Sequence, residues 1–421
     1  MQIEKNSMIL AENQYYSLDT KKTQLNNNVL VVGTSGAGKT RSIVTPNLLQ
    51  ACGSYIVSDP KGNLFKKYGK FLKEKGYVVK CLDFVHPERS IGYNPLSYIN
   101  STQDIIKMAS MLIYQRKQAS YPDPFWDESG TILLSSLIAY VKESDHSEVM
   151  ENFHSILKLL CAGRRGTNCD GKTVLEMLME ELHFSYPDSW AYDQFEKANV
   201  AADRTFDSIL ITLTSKLRNF DTKELNRMLQ KDEINIRSIG RRKTALFVVV
   251  SDTDRSMDNI ANLFFTQAMN ELCLYADEDC RDNMLPVPVR FILDDFATNC
   301  RIEEFPRMIA SIRSRGISTM LMVQSEAQLT EGYGFDGRTI IGNCDTYVYL
   351  GGNDVETAKA VAERCDVPVQ RILNMPVGHN WLFRRGQMPS YNRNFDTALL
   401  LKEQEKTKHK KEAYCLRLRR P

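Results

Sequence analysis

Apolar residues along the chain follow two rhythms. From residue 28 to about 100, short apolar runs alternate with segments of helical spacing. "NVLVV" (28–32) reads as a short buried strand and "KTRSIVTPNLLQ" (39–50) as the helix after it. Pro46 predicts a bend or shortening of that helix, because proline lacks the N–H of a continuing turn. "SYIVSDPKG" (54–62) reads as a strand ending in a turn, "NLFKKYGKFLKEKG" (63–76) as a helix and "YVVKCLDF" (77–84) as a strand again. This is the βαβ rhythm of a parallel sheet.

Between about 101 and 222 helical periodicity takes over. It runs through "QDIIKMASMLIY", "FWDESGTILLSSLIAYVKE", "MENFHSILKLLCAG", "GKTVLEMLMEELH" and "RTFDSILITLTSKLRNF", and no run there reads as a strand. Strand patterns resume with "RRKTALFVVVSD" (241–252), "VPVRFILDD" (287–295), "STMLMVQ" (318–324) and "DTYVYLG" (345–351), with helices at 259–276 and 353–365. The pattern predicts an α/β domain with a mostly parallel sheet, interrupted by an all-α domain. Its parts are 1–100, the helical insertion 101–222, a second α/β part 223–400 and a polar, basic tail 401–421, read as a solvated helix end.

Composition narrows the class. With 421 residues, two or three domains and a large core are expected. A net charge of +2 excludes a globally basic wrapper of nucleic acid, though not a local basic channel. Ten cysteines without a C-x-x-C spacing suit scattered thiols in a reducing compartment, and the six histidines show no zinc spacing. No apolar run reaches the roughly 18 residues of a membrane span. The N-terminus shows no signal-peptide pattern, so a soluble cytoplasmic protein is expected.

The candidate chemistry begins at "GTSGAGKT" (33–40), which meets the pattern G-x-x-x-x-G-K-[ST] between a strand and a helix. The glycines Gly33, Gly36 and Gly38 let the backbone curl, so that its N–H groups, with those of Thr34, Ser35, Ala37 and Arg41, face phosphate oxygens. Lys39 is expected to reach the β- and γ-phosphates, and the Thr40 hydroxyl to ligate Mg²⁺. The loop is therefore read as an ATP site. "RFILDDF" (290–296) supplies the complementary acids after a buried strand: Asp294 to hold the metal shell, through water, and Asp295 to polarise the attacking water. Gln324 ends another strand and could sense the γ-phosphate or that water. Arg313 and Arg315, in "SIRSRGIS", could neutralise charge on a transferring phosphoryl group or be solvated helix-end residues.

The phosphate loop, "SDPKGNLF" (58–65), "YNPL" (93–96), "PFWDESG" (124–130), "ILDDF", "SIRSRGIS" with "MVQSEAQL", and "NCDTYVYLGGND" (343–354) occur in this order. Together they resemble the coupling proteins of conjugative type IV secretion systems, the TraG/TraD-like family of the FtsK/HerA motor superfamily, over roughly residues 24 to 385. The resemblance implies a RecA-like P-loop NTPase domain with an all-α insertion. It implies a ring-shaped, hexameric ATPase at the inner face of the cell membrane, using ATP and Mg²⁺. Its partners would be single-stranded DNA, a relaxase or relaxosome, and the ATPases and inner-membrane components of the secretion channel.

By position, Lys39 and Thr40 match the Walker A residues, Asp294 and Asp295 the Walker B acids, Arg313 an arginine finger offered to a neighbouring subunit, and Gln324 a polar sensor. Asp59 and Lys61 sit in a family motif near the nucleotide. Two features depart from the pattern: the acids are Asp-Asp rather than Asp-Glu, and the usual N-terminal transmembrane helices are not seen. A membrane partner or helices outside this sequence would then supply the attachment, and the isolated chain could be monomeric. The alternatives left open are a double-stranded DNA translocase of the FtsK/HerA kind and a substrate receptor that uses nucleotide to assemble, with little hydrolysis.

Overall fold

The computed structural model describes residues 6–114, 124–145, 149–164, 171–296, 300–398 and 400; the basic tail 401–421 lies outside them. The chain forms two compact units, Met1–Lys80 with Ile236–Val248 and Leu272–Pro421, and Cys81–Asn235 with Val249–Glu271.

The described residues include eleven strands, in a hairpin and one larger sheet. A two-stranded hairpin pairs β1 (Ser7–Ala11) with β2 (Gln14–Ser17). The remaining strands are β3 (Val29–Val32), β4 (Ser54–Ser58), β5 (Val78–Asp83), β6 (Thr244–Val249), β7 (Val289–Leu293), β8 (Ile317–Val323), β9 (Thr346–Tyr349), β10 (His379–Arg384) and β11 (Ser390–Arg393). They form one sheet in the order β11-β10-β9-β3-β8-β7-β4-β6-β5. β3 runs parallel to β8 and β9, and β7 runs parallel to both β4 and β8. β10 and β11 turn antiparallel at the border.

All four residues of β3 are buried, which explains why "VLVV" is apolar without alternation: a central parallel strand is covered on both faces. Val29 and Val31 pack with Ile43, Val44 and Leu48 of the following helix and with Leu64, Tyr68 and Leu72 of the helix Asn63–Glu74. That helix buries residues at spacings of four, which is the stripe its sequence predicts.

Pro46 acts in a way the pattern did not specify. The helix opens as a widened π-turn, Lys39–Val44, in which the Thr45 N–H reaches the Thr40 carbonyl five residues back. An α-helix, Thr45–Leu49, then begins with Pro46 in its first turn, where the missing N–H costs nothing.

In the second unit the helix Pro124–Glu143 packs against Thr102–Ile113, Phe153–Ala162, Trp190–Asn199 and Asp203–Leu217. Its buried face includes Leu133, Leu134, Leu137, Ile138 and Val141. Lys216 pairs with Asp127 at 2.8 Å, both partly buried. The helix starts carry side-chain caps at Ser101, Asn152, Thr173 and Ser189, and Thr173 with Glu176 forms a capping box. Helix Trp190–Asn199 was not among the expected elements. Its buried positions are Ala191, Phe195 and Ala198, and two alanines give a weak apolar stripe.

Candidate nucleotide site

The phosphate loop leaves the carboxyl end of β3. Gly36 and Gly38 have φ of 80° and 97°, a region that L side chains rarely enter. A Cβ on Gly33 would lie 3.0 Å from Leu350 Cβ, so glycine is also needed there for close approach. The loop is braced from the ends of two neighbouring strands: after β9, the Thr34 N–H donates to the Gly351 carbonyl at 3.1 Å, and at the end of β8 the Gly33 N–H donates to the Val323 carbonyl at 3.1 Å. Gly351 and Gly352 come from "YLGGND", and a Cβ on Gly352 would meet Thr34 Cγ2 at 3.1 Å. These two glycines were not singled out from the sequence; the double glycine directly after a strand was the available signal.

Lys39 is 8% exposed, and its ammonium donates to the Gly33 carbonyl at 2.6 Å and to Thr34 at 3.3 Å. Burial pulls its pKa down, while Asp294 and Asp295 pull it back up. The Thr40 hydroxyl donates to Asp294 Oδ2 at 3.2 Å across 254 residues of sequence. Asp294 is pushed up from the ordinary carboxylate range by burial first and by the Asp295 charge second, with Lys39 and Thr40 opposing. The structure therefore brings Lys39, Thr40, Asp294 and Asp295 together. A hydroxyl and a carboxylate, both hard oxygen donors, suit Mg²⁺.

Gln324 follows β8 directly, between the ends of β3 and β7; its N–H donates to Gln328 Oε1 at 2.8 Å, and the residue is exposed. Arg41 is exposed, and its guanidinium lies 3.8 Å from Asp396. The Arg41 carbonyl accepts from the Thr397 hydroxyl, so the segment after β11 is tied to the start of this helix. Asp59 builds its own turn: its carboxylate accepts from the Phe65 N–H at 2.9 Å and holds the start of helix Asn63–Glu74. Lys61 is exposed.

Arg313 is not in this group. It precedes β8, at the amino edge of the sheet, whereas the phosphate loop and acids follow carboxyl ends; a seven-residue strand separates the edges by about 20 Å. There the Arg313 guanidinium donates to the Thr20 carbonyl at 3.0 Å. Arg315 is engaged differently, by a two-pronged bond to Asp277 at 2.7–3.0 Å.

Comparison with known proteins agrees with this geometry. Residues 3–366 match the family described as type IV secretory system conjugative DNA transfer, and the chain belongs to that family. It is 24% identical to protein VirD4 of Rhizobium radiobacter over 366 residues, which is 79% of this chain and 48% of that protein. It is 23% identical to the conjugal transfer protein TraG of Escherichia coli over 365 residues, 80% of this chain and 54% of that one. The chain thus spans about half the length of the relatives it matches. The structure of the plasmid coupling protein TrwB in complex with ADP and Mg²⁺ superimposes with a TM-score of 0.67 at 16% identity, covering 94% of this chain and 90% of that one. The fold is that of a P-loop NTPase of the RecA-like kind, with a mostly parallel central sheet and a helical insertion.

Proposed function

We propose that this chain is the ATP-hydrolysing core of a conjugative coupling protein, which recruits relaxase-bound single-stranded DNA and drives it toward the secretion channel. The observation that carries the reading is the quartet of buried Lys39 and half-buried Thr40, Asp294 and Asp295 at the carboxyl edge of a parallel sheet. The relatives this chain resembles include a conjugal transfer protein, and TrwB, whose fold it shares, has been seen in complex with ADP and Mg²⁺.

The residues divide the work. Backbone N–H groups of 33–41 cradle the phosphates. Lys39, already desolvated, exchanges its contact with the Gly33 carbonyl for the β- and γ-phosphate oxygens. Thr40 and, through water, Asp294 would hold Mg²⁺, whose positive charge would offset that of the phosphate oxygens. Asp295 accepts the proton of the attacking water, and Gln324 orients that water from the end of β8. Arg313, about 20 Å away in its own subunit, serves the site of a neighbour in a ring. Residues 101–222 meet the incoming nucleoprotein. Among the described residues no helix is long and apolar enough to cross a membrane. Attachment to the inner face of the cell membrane falls to other segments or to a membrane partner.

ATP turnover measured with and without single-stranded DNA tests the reading. Stimulated turnover, lost in Asp295→Asn, supports a motor. Nucleotide binding without turnover supports an assembly-driven receptor instead. Deleting residues 101–222 should spare nucleotide binding and abolish relaxase pull-down; undiminished pull-down refutes the docking role.

A further inference from the structure

The peptide between the two acids is held by donors from elsewhere in the chain. The Asp294 carbonyl accepts from the Ser58 hydroxyl at 3.2 Å and from the Cys300 thiol at 3.3 Å. Ser58 is the last residue of β4, beside β7 in the sheet, and is 1% exposed; Cys300 is fully buried. On the other side of this peptide, the Asp295 N–H lies 3.2 Å from Asp294 Oδ1. The chain then turns sharply, with Asp295 at φ 50°, inside the left-handed region.

We infer that Ser58 and Cys300 are positioning residues that lock this left-handed turn, and that the turn selects aspartate over glutamate at position 295. The inference rests on the reading of Asp294 and Asp295 as the acids of an ATPase.

The physical grounds are these. A left-handed conformation is unfavourable for any residue with a Cβ, and a short polar side chain tolerates it best because it can bond to nearby backbone. Glutamate adds a methylene and tolerates the left-handed region less well than aspartate, so it would favour a different turn. Rotating the Asp294–Asp295 peptide to relieve the strain would swing the Asp294 carbonyl off both donors. The rotation would break two bonds, one from a buried hydroxyl and one from a buried thiol, which opposes it. Strain at a functional turn persists only where its surroundings over-determine it, and here β4 and the segment at Cys300 supply that constraint. The consequence is positional: the turn fixes where the Asp295 side chain leaves the backbone, directly after Asp294, whose carboxylate bonds to Thr40. Of the two donors the serine hydroxyl is the stronger, so its loss should weigh more.

The test combines turnover, nucleotide affinity and thermal melting on the full chain. Ser58→Ala should lower kcat about tenfold or more, as misplacement of a reacting group by less than 1 Å does, with nucleotide affinity unchanged. Ser58→Thr, which keeps the hydroxyl, should restore it. Cys300→Ala should give a smaller loss and Cys300→Ser none. Asp295→Glu should turn over more slowly than the parent, and melting temperatures at position 295 should fall in the order glycine, aspartate, glutamate. Parental kcat in Ser58→Ala, or parental kcat in Asp295→Glu, overturns the inference while leaving the ATPase reading intact. A parent chain that does not hydrolyse ATP removes that reading and the positioning role with it. The melting order still judges the turn on its own, and glutamate melting above aspartate refutes it.

Discussion

The two edges of the parallel sheet handle charge in different ways. At the carboxyl edge, a buried cation and two half-buried acids lie together, and the charges of the acids act on Lys39 while those of Lys39 and Asp295 act on Asp294. At the amino edge, charged groups are paired in the ordinary manner: Arg315 with Asp277, and Arg385 with Asp345 at 3.0 Å. Arg313 stands apart on that edge, half-buried and bonded to a backbone carbonyl instead of a carboxylate. Among the described residues Arg313 has no carboxylate partner, so its charge is available to one brought from outside. The contrast sets a cluster held within one chain against the arginine proposed to serve a second copy.

The sharpest way to break this comparison is to separate the two edges onto different subunits. Arg313→Ala should lower turnover of the assembled protein about 10³–10⁵-fold, the usual worth of a supplied arginine. Mixing it with Lys39→Ala, itself unable to bind nucleotide, should restore part of the activity, because some interfaces join an intact loop to an intact arginine. Rates in the mixture no higher than in either parent, with mixed oligomers demonstrated, would sink the assignment in trans. Within one subunit, Asp295→Asn should slow hydrolysis about 10²–10⁴-fold with nucleotide binding retained, which a fluorescent-nucleotide titration alongside the rate measurement will show.

Smaller effects sharpen the same contrast. Arg315→Ala removes a bidentate pair, so it should lower the melting temperature by a few degrees and change turnover less than about threefold. A turnover loss as large as that of Arg313→Ala would exchange the roles of the two arginines. Asp294 offers a pH test. Its carboxyl is raised by burial, so the folded chain binds its proton more tightly than the unfolded chain does, and stability falls as pH rises through that window. Asp294→Asn should therefore melt above the parent near neutral pH without nucleotide. The gap should close as acid protonates Asp294, and a gap constant with pH would contradict the burial effect.

What could be read from the sequence followed from how one-sided each signal was. β3 and β8 are apolar on both faces, and the phosphate loop carries its glycines exactly where positive φ or close approach demands them, so both were legible. β10 was not, since "HNWLFR" buries Asn380 and Arg384 beside Trp381 and Leu382, and its polar residues hid the strand. The β1–β2 hairpin turns on Asn13 at φ 61°, without the glycine that marks such turns. At the site, Lys39, Thr40, Asp294 and Asp295 were legible because their types and spacing are constrained by phosphate and metal. Ser58 and Cys300 were not, because their meaning depends on a carbonyl 236 residues distant from one of them, which no local pattern records.

The border strand β11 has a further consequence. It is four residues long, with alternate positions turned to solvent, and its backbone is already partly taken: the Glu12 N–H donates to the Arg393 carbonyl at 2.9 Å, and Gln14 bonds to Asn392. A frontier so short, polar and occupied offers no template on which a second molecule could extend the ladder. Copies meeting at this border would touch through side chains and not through shared β-structure, and so would part again readily.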